Sequence, residues 1–201
     1  MIPAIVLAAG KSTRMGRPKA NLVLDDGETF LCRIVRTFHA AGVDNVVVVV
    51  GHDADVILEA FSQTDAVARV VENADYENGQ LSSLIRGINA VDRPGILAAL
   101  VTLVDVPCVT AATVRAVVER YLQTGAPVVR PVHGDEHGHP VLIDRSLFDD
   151  IRRADPAHGA KVVVRAHVSA AGDVPVDDRG AFLDIDTMAE YERMAGADRP
   201  R

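Results

Sequence analysis

A short stretch near the start of the chain combines glycines with four cations. The stretch reads LAAGKSTRMGRPK, residues 7–19, and its cations are Lys11, Arg14, Arg17 and Lys19. Glycine lets backbone N–H groups come close to a ligand, and clustered cations attract an anion. Because an apolar run, residues 5–7, directly precedes the stretch, we predict a phosphate-binding loop after a buried strand. A solvated basic turn is the alternative.

Neither of the two common phosphate-loop motifs fits this stretch. A Walker A motif needs a glycine where Ile5 stands, and the dinucleotide-binding motif needs glycines at Ser12 and Met15. The loop is therefore expected to bind phosphate through another pattern. In that pattern Arg14 contacts two phosphate oxygens at once, while Lys19 acts as a point charge.

Acidic side chains follow two later segments. Asp105 ends the most apolar predicted strand, where a carboxylate needs a partner or a metal, and Mg²⁺ binds carboxylate and phosphate oxygens. A structural or helix-capping aspartate is the alternative. In FLDIDT, Asp184 and Asp186 alternate along a predicted short strand and so share a face. One of the two is a candidate cap for the next helix.

Two polar segments complete the candidate residues. In NADYENGQLSSL, residues 73–84, Gly79 makes a turn and Ser82 and Ser83 offer hydroxyls at a helix start, where an ordinary cap is the alternative. HGDEHGHP contains His133, His137 and His139, but its glycines prevent a helical zinc motif. For this segment the sequence predicts a polar hairpin loop.

The elements that position these residues alternate between strand and helix. The predicted strands are Ala4–Ala8, Asn45–Val50, Ala68–Val71, Ile96–Val104, Pro127–Pro131, Pro140–Ile143 and Asp173–Val176. The predicted helices are Thr29–Ala41, Ala54–Phe61, Leu81–Val91, Thr110–Gln123, Ser146–Ala154, Gly159–Ala166 and Met188–Ala195. The run of five valines at 46–50 is typical of a strand buried on both faces. We therefore predict an α/β fold: a doubly wound, mostly parallel sheet with helices on both faces, which binds ligands at the carboxyl ends of its strands.

Length, charge and cysteine spacing limit the possible domain organisation, binding partners and location of the protein. The 201 residues suit one domain, predicted as 1–195 with a frayed tail at 196–201, and the net charge of −7 argues against nucleic-acid binding. Cys32 and Cys108 form no C-x-x-C pair, which fits a reducing cytoplasm. No apolar run is long enough to span a membrane, and no signal peptide is predicted.

The pattern L-A-A-G-x-S-x-R-M-G-x-x-K resembles the signature of the MobA/MocA-like nucleotidyltransferases, and the Ala-Ala-Gly form resembles the cytidylyltransferase branch. The resemblance extends in order from Ile5 to Tyr191, through D-x-P at Asp105, G-H-P at Gly138 and D-I-D-T at Asp184. It implies a Rossmann-like fold and transfer of a nucleoside monophosphate, with CTP favoured as donor, to a phosphorylated acceptor, with molybdopterin favoured.

The resemblance also implies roles for individual residues. Arg14, Lys19 and Asp105 would be catalytic, Asp105 and Asp186 would bind Mg²⁺, and His139 would contact the acceptor. The implied nucleotide-binding residues are Leu7, Ala8, Ala9, Gly10, Ser12, Arg14, Gly16, Lys19, Gly79, Ser82 and Ser83. Lys11 and Arg17 would be peripheral.

The chain departs from the family pattern at two places. Met188 replaces the usual proline, and Lys161 and Val162 follow Gly159-Ala160 where the family has an arginine.

The alternatives to cytidylyl transfer are a sister transferase that uses GTP or UTP with a sugar- or alcohol-phosphate acceptor, and an NAD(P)H-dependent reductase like nicotine blue oxidoreductase. A third is a nucleotide-binding chaperone for a molybdenum hydroxylase, which is also a possible partner.

Overall fold

The computed structural model describes residues 1–197. Its strands are β1 Ala4–Ala8, β2 Val46–Val50, β3 Arg69–Glu72, β4 Ala98–Leu103, β5 Val128–His133, β6 Glu136–His137, β7 Val141–Asp144 and β8 Asp173–Pro175. Its α-helices are α1 Phe30–Ala40, α2 Ala54–Ser62, α3 Gln80–Val91, α4 Ala111–Thr124, α5 Phe148–Arg152, α6 Lys161–His167 and α7 Met188–Ala197. The predicted frayed tail, residues 196–201, lies outside the described residues except for the last two positions of α7.

All eight strands belong to one sheet, in the order β3-β2-β1-β4-β7-β5-β6, with β8 beside β5. The first four strands of this order are parallel, whereas β7 runs antiparallel to both of its neighbours. β5 and β8 are parallel to each other. The parallel β3-β2-β1-β4 half brings the carboxyl ends of β1 and β4 together at one edge, directly before the predicted phosphate loop and Asp105.

Helices cover both faces of the sheet, which confirms the predicted fold class. Successive residues of β1 enter different cores: Val6 packs with residues of α1, α2 and α4, whereas Ile5 and Leu7 pack with residues of α3, α5 and α6. This explains why β2 reads as five consecutive valines, all of them buried. Each residue of a doubly covered strand contacts an apolar layer, so no position favours a polar side chain.

One glycine sets the distance between α3 and the central strand. A Cβ at Gly87 would lie 2.5 Å from Ile5 Cγ2 and 3.2 Å from Val49 Cγ2. The missing side chain lets α3 pack closely on β1 and β2, and the helix thereby begins beside the loop that follows β1.

Three local predictions needed correction. β6 forms a short hairpin arm with β5, through the pairs Val132↔His137 and His133↔Glu136, where only a loop was predicted. The predicted helix Ser146–Ala154 begins as the 3-10 turn Arg145–Leu147 before α5. Both segments are short, so their conformation depends on the neighbouring strands more than on local pattern.

The third correction concerns FLDIDT. Residues 183–186 belong to no strand or helix. Ile185 is fully buried, and its N–H donates to the backbone oxygen of Asp105 at 2.9 Å. The cap of α7 is Thr187, whose hydroxyl accepts from the N–H of Glu190 at 3.3 Å, rather than either aspartate. Neither aspartate side chain is therefore used as the helix cap.

Among the described residues, none of the helices combines the length and the apolarity that crossing a membrane requires.

Candidate active site

The loop after β1 folds back on itself and returns Lys19 to the end of the strand. Ser12 and Gly16 have positive φ angles of 48° and 68°. The Ser12 hydroxyl accepts from the N–H of Lys19 at 3.2 Å, and its carbonyl accepts from the N–H of Met15 at 2.8 Å. Met15 is buried against Leu22 and other apolar residues. Met15 thus anchors the middle of the loop in an apolar cluster.

A buried ammonium joins the two predicted metal ligands. Lys19 Nζ lies 2.9 Å from Asp105 Oδ2 and 2.5 Å from Asp186 Oδ1, and Arg14 Nη2 lies 2.9 Å from Asp186 Oδ2. The Lys19 side chain is only 11% exposed and that of Asp105 19%. We expected Lys19 to be a point charge for phosphates, but in the structure both carboxylates already bind it. A buried ammonium needs such anions.

The charges of this cluster stabilise one another. Burial lowers the pKa of Lys19, but its hydrogen bonds to Asp186 and Asp105 outweigh burial and leave the pKa raised. The hydrogen bond from Lys19 is also the main reason that the pKa of Asp186 is lowered. Lys19 and Asp186 are therefore both charged at neutral pH.

The donor set of this cluster fits a divalent cation that is shared with a substrate. Asp105 Oδ1 is buried and has no hydrogen-bond partner, so one carboxylate oxygen is left for a ligand. Residues 1–197 contain no group of three or more metal-binding side chains. Mg²⁺ is commonly bound by one or two carboxylates together with phosphate oxygens, so Asp105 and Asp186 suffice only if phosphates complete the shell.

The start of α3 forms the wall opposite the loop. Asn73 Nδ2 donates to Ser82 Oγ at 2.9 Å and to Ser83 Oγ at 3.0 Å, which holds the first turn of α3 against β3. Ser82 Oγ also lies 2.8 Å from the carbonyl oxygen of Gly79 and 3.0 Å from that of Asp75. Ser83 lines the cavity that lies between the loop and α3, whereas Ser82 does not. Of the two predicted serines, Ser83 is the one that can meet a ligand there.

Contacts between the loop and the Tyr76–Asn78 turn bridge the two walls. Lys11 Nζ lies 2.6 Å from Glu77 Oε1 and 6.0 Å from the centre of the Tyr76 ring. The Tyr76 hydroxyl lies 3.4 Å from His52 Nδ1. Lys11, expected to be peripheral, therefore connects the loop to the opposite wall. Arg17 lies over the ring of Tyr191, 5.9 Å from its centre.

Gly51 makes the packing of Tyr76 possible. A Cβ at Gly51 would lie 2.7 Å from Tyr76 Cβ and 2.9 Å from Ala9 Cβ. We expect Gly51→Ala to destabilise the protein by about 1–3 kcal/mol, because the new methyl must displace one of these neighbours. Since both neighbours line the cavity between the loop and α3, affinity for the nucleotide that the sequence predicts there should fall as well. Urea unfolding and a nucleotide titration measure the two effects. Gly10→Ala, whose Cβ meets nothing within 4 Å, is the control for stability alone, because Gly10 itself lines the cavity. Unchanged stability would contradict this account of Gly51.

The loop, α3 and the ion cluster line a cavity of about 330 Å³, called here the nucleotide cavity after the ligand that the sequence predicts for it. Ten of the residues predicted from the sequence line it: Leu7, Ala9, Gly10, Ser12, Arg14, Lys19, Gly79, Ser83, Asp105 and Asp186. Ala8, Gly16 and Ser82 do not line it. The prediction missed further residues of its wall, namely Thr13, Tyr76, Gln80, Leu103 and Val104. Tyr76 and Gln80 lie within the quoted NADYENGQLSSL, and their polar or aromatic character beside Gly79 was the signal available.

His139 lines a different, adjoining cavity of about 500 Å³, called here the second cavity. Burial lowers the pKa of His139, so its imidazole is neutral at neutral pH. Its Nδ1 lies 3.4 Å from the carbonyl oxygen of Val101. His133 and His137 lie instead on the β5–β6 hairpin, so the structure separates the three histidines.

Comparison with known proteins finds relatives that match this chain over most of its length. A family model described as the MobA-like NTP transferase domain matches residues 4–171. A probable molybdenum cofactor guanylyltransferase of Mycobacterium marinum is 26% identical over 193 residues, which cover 94% of this chain and 90% of the relative. A nicotine blue oxidoreductase of Paenarthrobacter nicotinovorans is 26% identical over 204 residues, with 96% of each chain covered.

A solved structure is similar over the same length. A Mycobacterium tuberculosis protein in complex with manganese has a TM-score of 0.74 and 28% sequence identity to this chain, with 98% of each chain covered. The likeness therefore spans the loop, the start of α3 and both aspartates, and a matching family model covers most of the sheet. The chain belongs to the family of the MobA-like NTP transferase domain.

Proposed function

We propose that the protein is a nucleotidyltransferase that moves a nucleoside monophosphate from a nucleoside triphosphate to a phosphorylated acceptor and releases pyrophosphate. One observation carries the proposal. Lys19, Asp105 and Asp186 meet at the carboxyl ends of β1 and β4, on the wall of a cavity closed by the glycine-containing loop and the start of α3. This combination supplies cations for phosphates and carboxylates for a metal.

The reaction needs no nucleophile from the protein. An oxygen of the acceptor phosphate forms a bond to the α-phosphorus, while the bond from that phosphorus to the bridging oxygen breaks and pyrophosphate takes the electron pair. The protein contributes positioning and neutralisation of charge. Arg14, whose side chain is 63% exposed, can turn from Asp186 to the leaving pyrophosphate, whereas Lys19 is fixed beside the reacting centre.

A divalent cation, proposed as Mg²⁺, would be held by Asp105 and Asp186. When bound it would neutralise charge on the phosphate oxygens and help to orient them. The unpaired oxygen of Asp105 supports this role, as does the manganese complex of a protein similar to this chain.

The donor nucleotide and the acceptor are proposed more narrowly. The Ala-Ala-Gly form of residues 8–10 favours CTP, and molybdopterin is the favoured acceptor because related proteins are named for the molybdenum cofactor. GTP is the second candidate, since the Mycobacterium marinum relative is named a guanylyltransferase.

Thermal unfolding with CTP, GTP, UTP, ATP and NADPH, each with and without Mg²⁺, tests the proposal. A ligand at one hundred times its dissociation constant stabilises the folded state by about 2.7 kcal/mol. We expect selective stabilisation by CTP, larger with Mg²⁺ because the metal joins the phosphates to the carboxylates. Stabilisation by GTP alone would identify GTP as the donor nucleotide, as in a guanylyltransferase. Stabilisation by NADPH alone would contradict the proposed transferase reaction. Absence of stabilisation by every one of these nucleotides would contradict it as well.

A further inference from the structure

The two aspartates of the proposed metal site lie on different segments of the chain. Asp105 belongs to the connection between β4 and α4, residues 104–110. Asp186 ends the segment 178–186, which follows β8 and is called here the strap. Because Mg²⁺ requires nearly ideal octahedral geometry, the relative position of these two segments decides whether both carboxylates can reach one cation.

The strap lies against the connection at two points. The N–H of Ile185 donates to the carbonyl oxygen of Asp105 at 2.9 Å. Nearer the start of the strap, a Cβ at Gly180 would overlap with the carbonyl oxygen of Cys108, so the two backbones touch where only glycine fits. A small shift of the strap would therefore move its carboxylates relative to Asp105.

The end of the strap is held by the helix that follows it. Glu190 Oε2 accepts from the N–H of Asp186 at 2.9 Å and from the N–H of Thr187 at 2.8 Å. These hydrogen bonds fix Asp186 to α7, but they do not fix it to the connection that carries Asp105. Another contact is needed to hold the strap on the connection.

Asp178 supplies such a contact at the start of the strap. Its Oδ2 accepts from the N–H of Thr110 at 2.9 Å, from the hydroxyl of Thr110 at 2.8 Å and from the hydroxyl of Thr113 at 2.6 Å. Its Oδ1 accepts from the N–H of Gly180 at 3.1 Å. One carboxylate thus joins the strap to the end of the connection and the first turn of α4.

An amide could not replace the carboxylate of Asp178 without loss. Both of its oxygens accept from a backbone N–H, one from Thr110 and one from Gly180. Asparagine has one acceptor oxygen and one NH₂ group, so one of the two N–H groups would face another donor. Asp178 lines neither the nucleotide cavity nor the second cavity. Any effect on the reaction must therefore act through the strap.

We propose that Asp178 is a positioning residue of the active site. By joining the strap to the first turn of α4, it holds Asp186 at the distance from Asp105 that one divalent cation requires. This inference rests on the proposed function, since it concerns the metal of that reaction.

The variant Asp178→Asn, made in the full chain, tests the inference. The first readout is Mn²⁺ binding in the presence of CTP, measured by electron paramagnetic resonance of the free ion. The second is kcat for pyrophosphate release with molybdopterin as acceptor. We expect both Mn²⁺ affinity and kcat to fall by about tenfold to a hundredfold, as is typical when a residue that orients metal ligands is changed. Binding of CTP without metal should stay unchanged.

Asp144→Asn is the control, because it removes the same charge from a carboxylate bound to the same helix. Asp144 Oδ2 accepts from the hydroxyl of Tyr121, in the second half of α4, at 2.6 Å. Asp144 pairs with Ala98, the first residue of β4, and so lies at the opposite edge of the sheet from Asp105. This variant should keep the Mn²⁺ affinity and the kcat of the wild type.

A milder variant keeps the test decisive if Asp178→Asn does not fold. Thr113→Val removes one hydrogen bond to Asp178 and nearly preserves the shape of a side chain that is 3% exposed. We expect a measurable loss of Mn²⁺ affinity, smaller than that of Asp178→Asn.

The outcomes distinguish this inference from the proposed function. Wild-type Mn²⁺ affinity in a folded Asp178→Asn, or in Thr113→Val if the first variant does not fold, would overturn the inference. Equal losses in Asp144→Asn would overturn it as well, because the effect would then be one of general stability. Selective loss of Mn²⁺ affinity without pyrophosphate release from any variant or the wild type would support the role of Asp178 and contradict the transferase reaction. Absence of Mn²⁺ binding to the wild type with every nucleotide would contradict both proposals.

Discussion

Replacement of Asp105 by asparagine is expected to lower turnover at least about a hundredfold, since loss of one electrostatic contact in an active site typically has that effect. The side chain keeps its shape, so the fold should persist. What is lost is a carboxylate with one oxygen bound to Lys19 and the other without a partner. Pyrophosphate release measures the loss, and circular dichroism shows whether the fold persists.

A second half-buried aspartate provides a matched control. The Asp92 side chain is 17% exposed, close to the 19% of Asp105, but it pairs with Arg145 and Arg152 and lines neither cavity. Asp92→Asn should therefore reduce stability and leave turnover near that of the wild type. Turnover of Asp105→Asn above about one hundredth of wild type would remove Asp105 from the catalytic machinery.

Replacement of Lys19 by methionine is expected to have the largest effect on stability. Without the ammonium, the carboxylates of Asp105 and Asp186 face each other with little solvent, because the side chain between them was only 11% exposed. Removal of one partner from a buried ion pair typically costs 3–5 kcal/mol, and partial exposure of Asp186 reduces the expected loss to about 3 kcal/mol. Urea unfolding measures it, and turnover should also be lost.

The double variant Lys19→Met with Asp105→Asn tests the cause. If uncompensated charge destabilises the single variant, removal of one carboxylate should restore part of the lost stability, so the two changes are not additive. Mg²⁺ should likewise stabilise Lys19→Met more than it stabilises the wild type, because a divalent cation can neutralise the two carboxylates that have lost their ammonium. Additive losses with no response to Mg²⁺ would mean that Lys19 acts through packing alone.

Much of the fold could be predicted because its long elements have strong local patterns. β1 was predicted to the residue, and the five valines of β2 indicated a strand covered on both faces. Short elements were less predictable. β6 has only two residues, and the segment 183–186 is held through Ile185 by a hydrogen bond to Asp105, far along the chain, so no local pattern specifies either of them.

The sequence by itself determined which residue types could perform the chemistry and which strands would carry them. We could predict the cations beside glycines after β1 and the aspartate after the apolar β4, because each lies directly after its strand. Only the tertiary structure decided how these charges are paired. Lys19 contacts carboxylates 86 and 167 positions away, and Gly51 admits Tyr76 to the cavity wall. Such contacts depend on burial and distance after the sheet has formed, which sequence spacing does not contain.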